Sequence, residues 1–305
     1  MQPSPDSFQD QDPLKPSTSN SQTQTELIHL APPDRSKGPP SCFKIDYISP
    51  AQCKSLLGVT KNHVEFLLEL LKDSKSASKV TKDQLVATLM IFKTGLSFEA
   101  VSTFFLVDPK VISKWFEKTI YELSEASKVG VFWIPKEKVQ ARLPNVFKKN
   151  TRAILDCCEV DMSTPDSKIN QQHCFSMNKG SHTMKFMIAS TPCGVITFIS
   201  QAFSGCSSDS KIFNSSVIKD LIEPNDLILG DKGFMPIQEE LHEKGASFDV
   251  IPPEKQHFVK RVISRMKYFK ILRFLPKNMF KYVDHILLII AFLCNLFPDL
   301  LDENE

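Results

Sequence analysis

Ala153-Ile154-Leu155-Asp156 and, farther along, Leu227-Ile228-Leu229-Gly230-Asp231-Lys232-Gly233-Phe234 decide how this chain reads. Each is a short apolar run of strand character that arrives at an aspartate. Two carboxylates presented in this way can hold Mg²⁺ or Mn²⁺, because hard divalent cations take carboxylate oxygens and paired cations act on phosphate esters as Lewis acids. Asp156 and Asp231 are therefore the candidate catalytic and metal-binding residues, and the chain reads first as a nuclease-like domain. The bland alternative for each is a turn residue at a strand end.

The surroundings of the pair change period in a way that fits a sheet. Thr183 to Ala189, Val195 to Ser200 and Phe248 to Ile251 are further strand candidates, separated by turn residues such as Asn178-Lys179-Gly180 and Thr191-Pro192-Cys193-Gly194. Helix-like segments occupy Lys211 to Leu221 and Met235 to Lys244. Gln256 to Arg273 reads as a basic helix and Met279 to Phe297 as an apolar one. The fold class is α/β, a mixed sheet flanked by helices, over residues 150–298.

Residues 43–128 carry helical spacing instead, as in Val64, Leu67, Leu68 and Leu71, then Leu85, Val86, Leu89, Met90 and Phe92. Thr81 is placed to cap one helix that Gly95 closes, Ser97 to cap a short second, and Asp108 with Pro109 to open a third. Over residues 80–127 this is a helix-turn-helix rhythm, in which the last helix can lie in a DNA major groove. Lys110, Ser113, Lys114 and Lys118 fall where DNA contact would be made, while Trp115 and Phe116 read as core. A bundle that only packs its helices has the same spacing. Residues 1–42 are rich in Pro, Ser, Gln, Asp and Thr, and read as a disordered tail.

Composition sets limits on function. The chain has 305 residues, is 42% hydrophobic and carries a net charge of +2, enough for a sizeable core and too balanced to name a partner. Its eight cysteines show neither a C-x-x-C pair nor zinc spacing, and no secretory signal is read, so reduced thiols in the cytosol or nucleus are expected. The most apolar stretch, Ile286 to Phe297, is shorter than the roughly 18 residues of a membrane span, which points to a buried helix and no membrane partner. Between Lys255 and Lys281 the charged residues are all basic, including Arg261, Arg265 and Lys267, and such a run can bind a DNA backbone. A solvated helix face is the plain alternative.

The motifs, taken in order, resemble a known family. Leu155-Asp156-Cys157-Cys158-Glu159, Lys179 to Phe186, Gly194 to Ser200, Gly205-Cys206-Ser207-Ser208-Asp209, Gly230-Asp231-Lys232-Gly233-Phe234, Arg261 to Lys267 and Cys294-Asn295-Leu296 resemble the DDE-superfamily endonucleases of the DDE Tnp4 type, related to Harbinger-like transposases. The likeness spans residues 80–298. It implies an RNase H-like fold with Asp156 on the first strand and Asp231 at the end of the fourth, DNA as partner, a divalent metal as cofactor, and a nuclear location.

The resemblance also implies a glutamate on the following helix as the third acid of the metal site. That position, just before Arg261, is Lys260 here, and the linker after Pro252-Pro253 is shorter than the family's pattern. An ammonium beside a metal site opposes cation binding, so cleavage is expected to be weakened or lost. Asp209, from the glycine-to-Ser-Asp segment, reads either as a supporting metal ligand or as a helix cap. An active endonuclease with a substitute acid, Glu254 or Glu159, and a scaffold for a nuclear protein partner are the other readings.

Overall fold

The computed structural model of the protein describes residues 43–72 and 80–298. The tail expected over residues 1–42 lies outside them. Among the described residues six α-helices precede the sheet: α1 (Pro50–Leu57), α2 (Lys61–Lys72), α3 (Lys82–Thr94), α4 (Phe98–Phe105), α5 (Pro109–Ser127) and α6 (Lys136–Ala141). Their boundaries are local chemistry. Thr81 and Gln84 form a reciprocal capping box at the start of α3, and Gly95 ends that helix with φ of 69°. Ser97 caps α4, and Asp108 accepts from the Lys110 amide at 2.8 Å, with Pro109 in the first turn of α5.

The sheet is built on β1 (Thr151–Met162), followed by α7 (Lys168–Cys174), β2 (Phe175–Ser176), β3 (Ser181–Ser190), β4 (Ile196–Ile199) and β5 (Phe203–Ser204). After α8 (Asp209–Asn214) and α9 (Ile218–Leu221) come β6 (Leu227–Gly230), α10 (Gln238–Glu243) and β7 (Ser247–Val250). The chain closes with α11 (Gln256–Lys267), β8 (Phe274–Leu275) and α12 (Val283–Asn295). β1 pairs antiparallel with β3 and parallel with β6. β3 pairs antiparallel with β4, and β6 parallel with β7. This is a mixed α/β architecture.

Alternation along β1 sorts side chains between the two faces of this sheet. Ala153 and Leu155 pack with Met187, Ile228 and Phe248 under α8 and α10. Ile154, Cys158 and Val160 point the other way, toward α11 and α12. On that second face the core runs without a break from the sheet through α12 into α3 and α5. The segment Lys277–Asn295 is long and apolar enough to cross a membrane by composition, yet Ile286, Leu287, Ile289 and Ile290 of α12 are all 0% exposed inside this core. Asn295 ties the helix end to the sheet. Its Oδ1 accepts from the Ile196 amide at 2.9 Å, and its Nδ2 donates to the Gly130 and Ile196 carbonyls.

Four expectations are corrected. β1 is far longer than the apolar run 153–155, because the polar residues beyond Asp156 remain paired with β3 as far as Asp161 opposite Thr183. The helix expected over 211–221 is broken into α8 and α9, and the one over 235–244 begins as a 3₁₀ turn that contains Pro236. The basic helix expected to reach Arg273 stops at Lys267. Beyond it Phe269 is pulled into the core against Gly58, Lys93 donates to the Tyr268 carbonyl at 3.1 Å, and β8 pairs with the far end of β1. Tertiary contacts override helical periodicity there.

Phe116 joins the helical half to the C-terminal segment, with ring centroids 5.9 Å from Phe92, 5.5 Å from Phe98 and 5.5 Å from Tyr282. Phe116→Ala should therefore destabilise the protein by about 3–5 kcal/mol. Urea unfolding followed by helical circular dichroism and by a probe in the sheet should show both signals shifting together. A shift confined to the helical signal would contradict the shared core.

Candidate active site

The parallel register of β1 and β6 sets Ile154 beside Leu229. Two residues farther along each strand, Asp156 and Asp231 stand at the same level on neighbouring strands, which lie about 4.8 Å apart. Asp231 follows the last residue of β6 and turns the chain: its Oδ1 accepts from the Gly233 amide at 2.9 Å. Asp156 lies inside β1, opposite Ile188, rather than at a strand end.

By alternation Asp156 faces α11. Together with Leu155, Asp231, Ile251, Gln256, Val259 and Lys260 it lines a cavity of about 240 Å³ between the sheet and the first turns of that helix. The structure thus brings Asp156, Asp231 and Lys260 around one space. Glu254 and Glu159 do not line it. Glu159 accepts from the Thr183 hydroxyl at 2.9 Å, and Glu254 sits in the turn before α11.

Asp209 approaches from the other face of the sheet. Ser208, not Asp209, caps α8, with its hydroxyl accepting from the Lys211 amide at 3.2 Å. The Asp209 carboxylate pairs with Lys185 of β3 at 2.5 Å. It also lies so close to Gly233 that a Cβ there would stand 2.1 Å from its Oδ2. Only glycine at 233 leaves room for this approach. Lys185 was not among the residues singled out from the sequence. Its signal was a lysine set among Met184, Phe186 and Met187 in β3, and it also reaches the Ser207 carbonyl at 3.4 Å.

The electrostatics follow from this crowding. Burial first, and then the neighbouring Asp231 charge, push the Asp156 carboxyl up to about 7. Burial and then Asp209 raise Asp231 as well. The Cys157 thiol is driven up by burial and then by Asp209. Burial works against the Lys185 charge, but the hydrogen bond and charge of Asp209 outweigh it and raise that group.

Two hard carboxylates at one level, with their ionisation suppressed by burial and then by neighbouring carboxylates, suit one divalent cation completed by water. A second cation is a poorer fit. Among the described residues no group of three or more His, Cys, Asp or Glu side chains converges as a metal cage, and Lys260 lines the side facing α11.

Residues 155–295 match the family of DDE superfamily endonucleases. This segment is a DDE superfamily endonuclease domain. No curated protein and no solved structure matched the chain. The matched DDE segment opens at Leu155, beside Asp156, and closes at Asn295, so it contains Asp209, Asp231 and Lys260 and leaves α1 to α6 outside.

The basic residues divide into two groups. On the first half of α5, Lys110 and Lys114 are exposed, whereas Ser113 and Lys118 are half-buried. Trp115 packs edge-on against Phe105 at 5.8 Å. In the DDE domain Arg261 is half-buried on α11. Arg265 donates to the Pro298 carbonyl at 2.5 Å, and Lys267 to the Glu159 carbonyl at 3.3 Å. Those two cations hold α11 to its neighbours.

Because the Asp156 carboxyl is held above its ordinary value of 3.8, its stabilising share is complete below about pH 4 and is lost as pH rises through about 7. Asp156→Asn should therefore be more stable than wild type at pH 8.5 by on the order of 2 kcal/mol, with little difference at pH 4. Urea unfolding at both pH values checks this. An equal effect at both would mean that Asp156 ionises as an ordinary carboxylate.

Proposed function

We propose that this chain is a transposase-derived DNA-binding protein. In this reading it keeps an RNase H-like nuclease core and a site for one divalent cation at Asp156 and Asp231, and its phosphodiester cleavage is weakened or lost. The observation that carries the reading is Lys260 on the cavity that Asp156 and Asp231 line. In-line cleavage with two cations places them about 3.5–4 Å apart between shared acids. An ammonium on that wall opposes the second cation by charge and supplies no ligand oxygen.

Support for the RNase H-like core is topological. Three antiparallel strands, β4, β3 and β1, continue into the parallel pair β6 and β7, with helices on both faces. A bound Mg²⁺ or Mn²⁺ would supply charge neutralisation for a phosphate. Asp156 and Asp231 would hold it, and Asp209, paired with Lys185, would act on the site through its charge.

Support for DNA as partner is the acid-free basic run from Lys255 to Lys281 and the exposed Lys110 and Lys114 at the start of α5. Contacts of this kind with phosphates are salt-sensitive and tolerant of sequence. A helix-turn-helix role for α3 to α5 belongs to the same reading, as does a nuclear location.

Purified wild-type protein should retard DNA in a gel, with affinity falling steeply as salt rises, and should leave supercoiled plasmid intact in Mn²⁺. Lys260→Glu should bind Mn²⁺ roughly tenfold more tightly or better by calorimetry, a gain of about 1.4 kcal/mol. Robust Mn²⁺-dependent nicking by wild type, abolished in Asp156→Ala, would overturn the proposal in favour of an active endonuclease.

A further inference from the structure

The loop Gly205-Cys206 lies directly against the end of α7. The Cys206 amide donates to the carbonyl of His173 at 3.4 Å, and the Gly205 amide donates to Thr183 at 3.0 Å. A Cβ on Gly205 would stand 2.0 Å from Thr183 Oγ1 and 3.1 Å from the Cys174 carbonyl oxygen. This hydrogen bond and the contact of Gly205 with the Cys174 carbonyl bring residue 206 beside residue 174, close enough for the Cys206 group to act on the Cys174 thiol. A disulfide closes when the two Cα atoms stand within roughly 4.4–6.8 Å of each other. Both thiols are free; Cys206 is exposed and Cys174 half-buried.

We propose that Cys174 and Cys206 form an oxidation site, in which a disulfide closes under hydrogen peroxide and ties the end of α7 to the loop that leads into Asp209. The accessible Cys206 thiolate attacks a peroxide oxygen, giving a sulfenic acid and expelling hydroxide. The Cys174 thiolate then attacks that sulfur, the S–S bond forms, and the sulfenic oxygen leaves as a second hydroxide. Two thiols and one peroxide yield one disulfide and two waters. Burial, and then the nearby Cys206, hold the Cys174 thiol up, which suits it to the resolving rather than the attacking role.

The other described cysteines are less open to the reagent. Cys53, Cys158, Cys193 and Cys294 are buried, and Cys157 is half-buried beside Asp209. Just beyond the bridge, the Ser207 carbonyl takes the Lys185 ammonium and Ser208 caps α8. The crosslink therefore fixes the segment that carries Asp209. The proposal stands independently of any metal at Asp156 and Asp231.

Full-length protein treated with hydrogen peroxide, alkylated and mapped by non-reducing peptide mass spectrometry should yield a linked peptide pair containing residues 174 and 206. The pair should disappear on reduction and be absent in Cys206→Ser. Hydrogen exchange of amides 204–209 should slow in the oxidised form. Oxidation of Cys206 to a sulfinic acid with Cys174 still fully alkylated would overturn the proposal. A 174–206 link with unchanged exchange at 204–209 would overturn the tether to Asp209.

Discussion

The side-by-side placement of Asp156 and Asp231 is the constraint on which the site depends. Parallel pairing of β1 with β6 forces two carboxylates to one level at the edge of a buried core. Like charges so close in a region of reduced dielectric raise each other's affinity for a proton or a cation. The surrounding structure relieves part of this. Lys185 answers Asp209 from the α8 face, and the Gly233 amide answers Asp231. What remains unanswered opens into the cavity under α11.

That cavity exists because of packing far from the chemistry. Val259 of α11 sits in an apolar cluster with Ile154, Leu229 and Ile251, which sets the height of the first turn of the helix above the strands. The other end of α11 is held by Arg265 to Pro298 and by Lys267 to β1. Between these anchors the helix presents Gln256 and Lys260 to the two aspartates. The core that supports α12 continues into α3 and α5, so the helices before the DDE domain brace the same face of the sheet.

Local signals in the sequence translated well into structure. The starts of α3, α4 and α5 at Thr81, Ser97 and Asp108 and the stop at Gly95 are each settled within a few residues of chain, and the strands read from 183–189 and 227–229 fall in β3 and β6. The features that escaped are all long-range. The polar half of β1 is a strand only because β3 pairs with it, α11 ends early only because Phe269 is drawn against Gly58, and Asp209 meets Lys185 only across two elements. Asp156 and Asp231 were legible as a pair. Their burial, and the exclusion of Glu159 and Glu254 from the cavity, were properties of the fold.

A crystal grown in Mn²⁺, with the metal located by anomalous scattering, would distinguish a one-cation site from a two-cation site. One Mn²⁺ peak is expected, coordinated by Asp156 and Asp231, with the Lys260 ammonium on the opposite wall of the cavity. Two peaks about 3.5–4 Å apart would contradict it, because they would show that a complete two-cation site assembles in spite of the lysine.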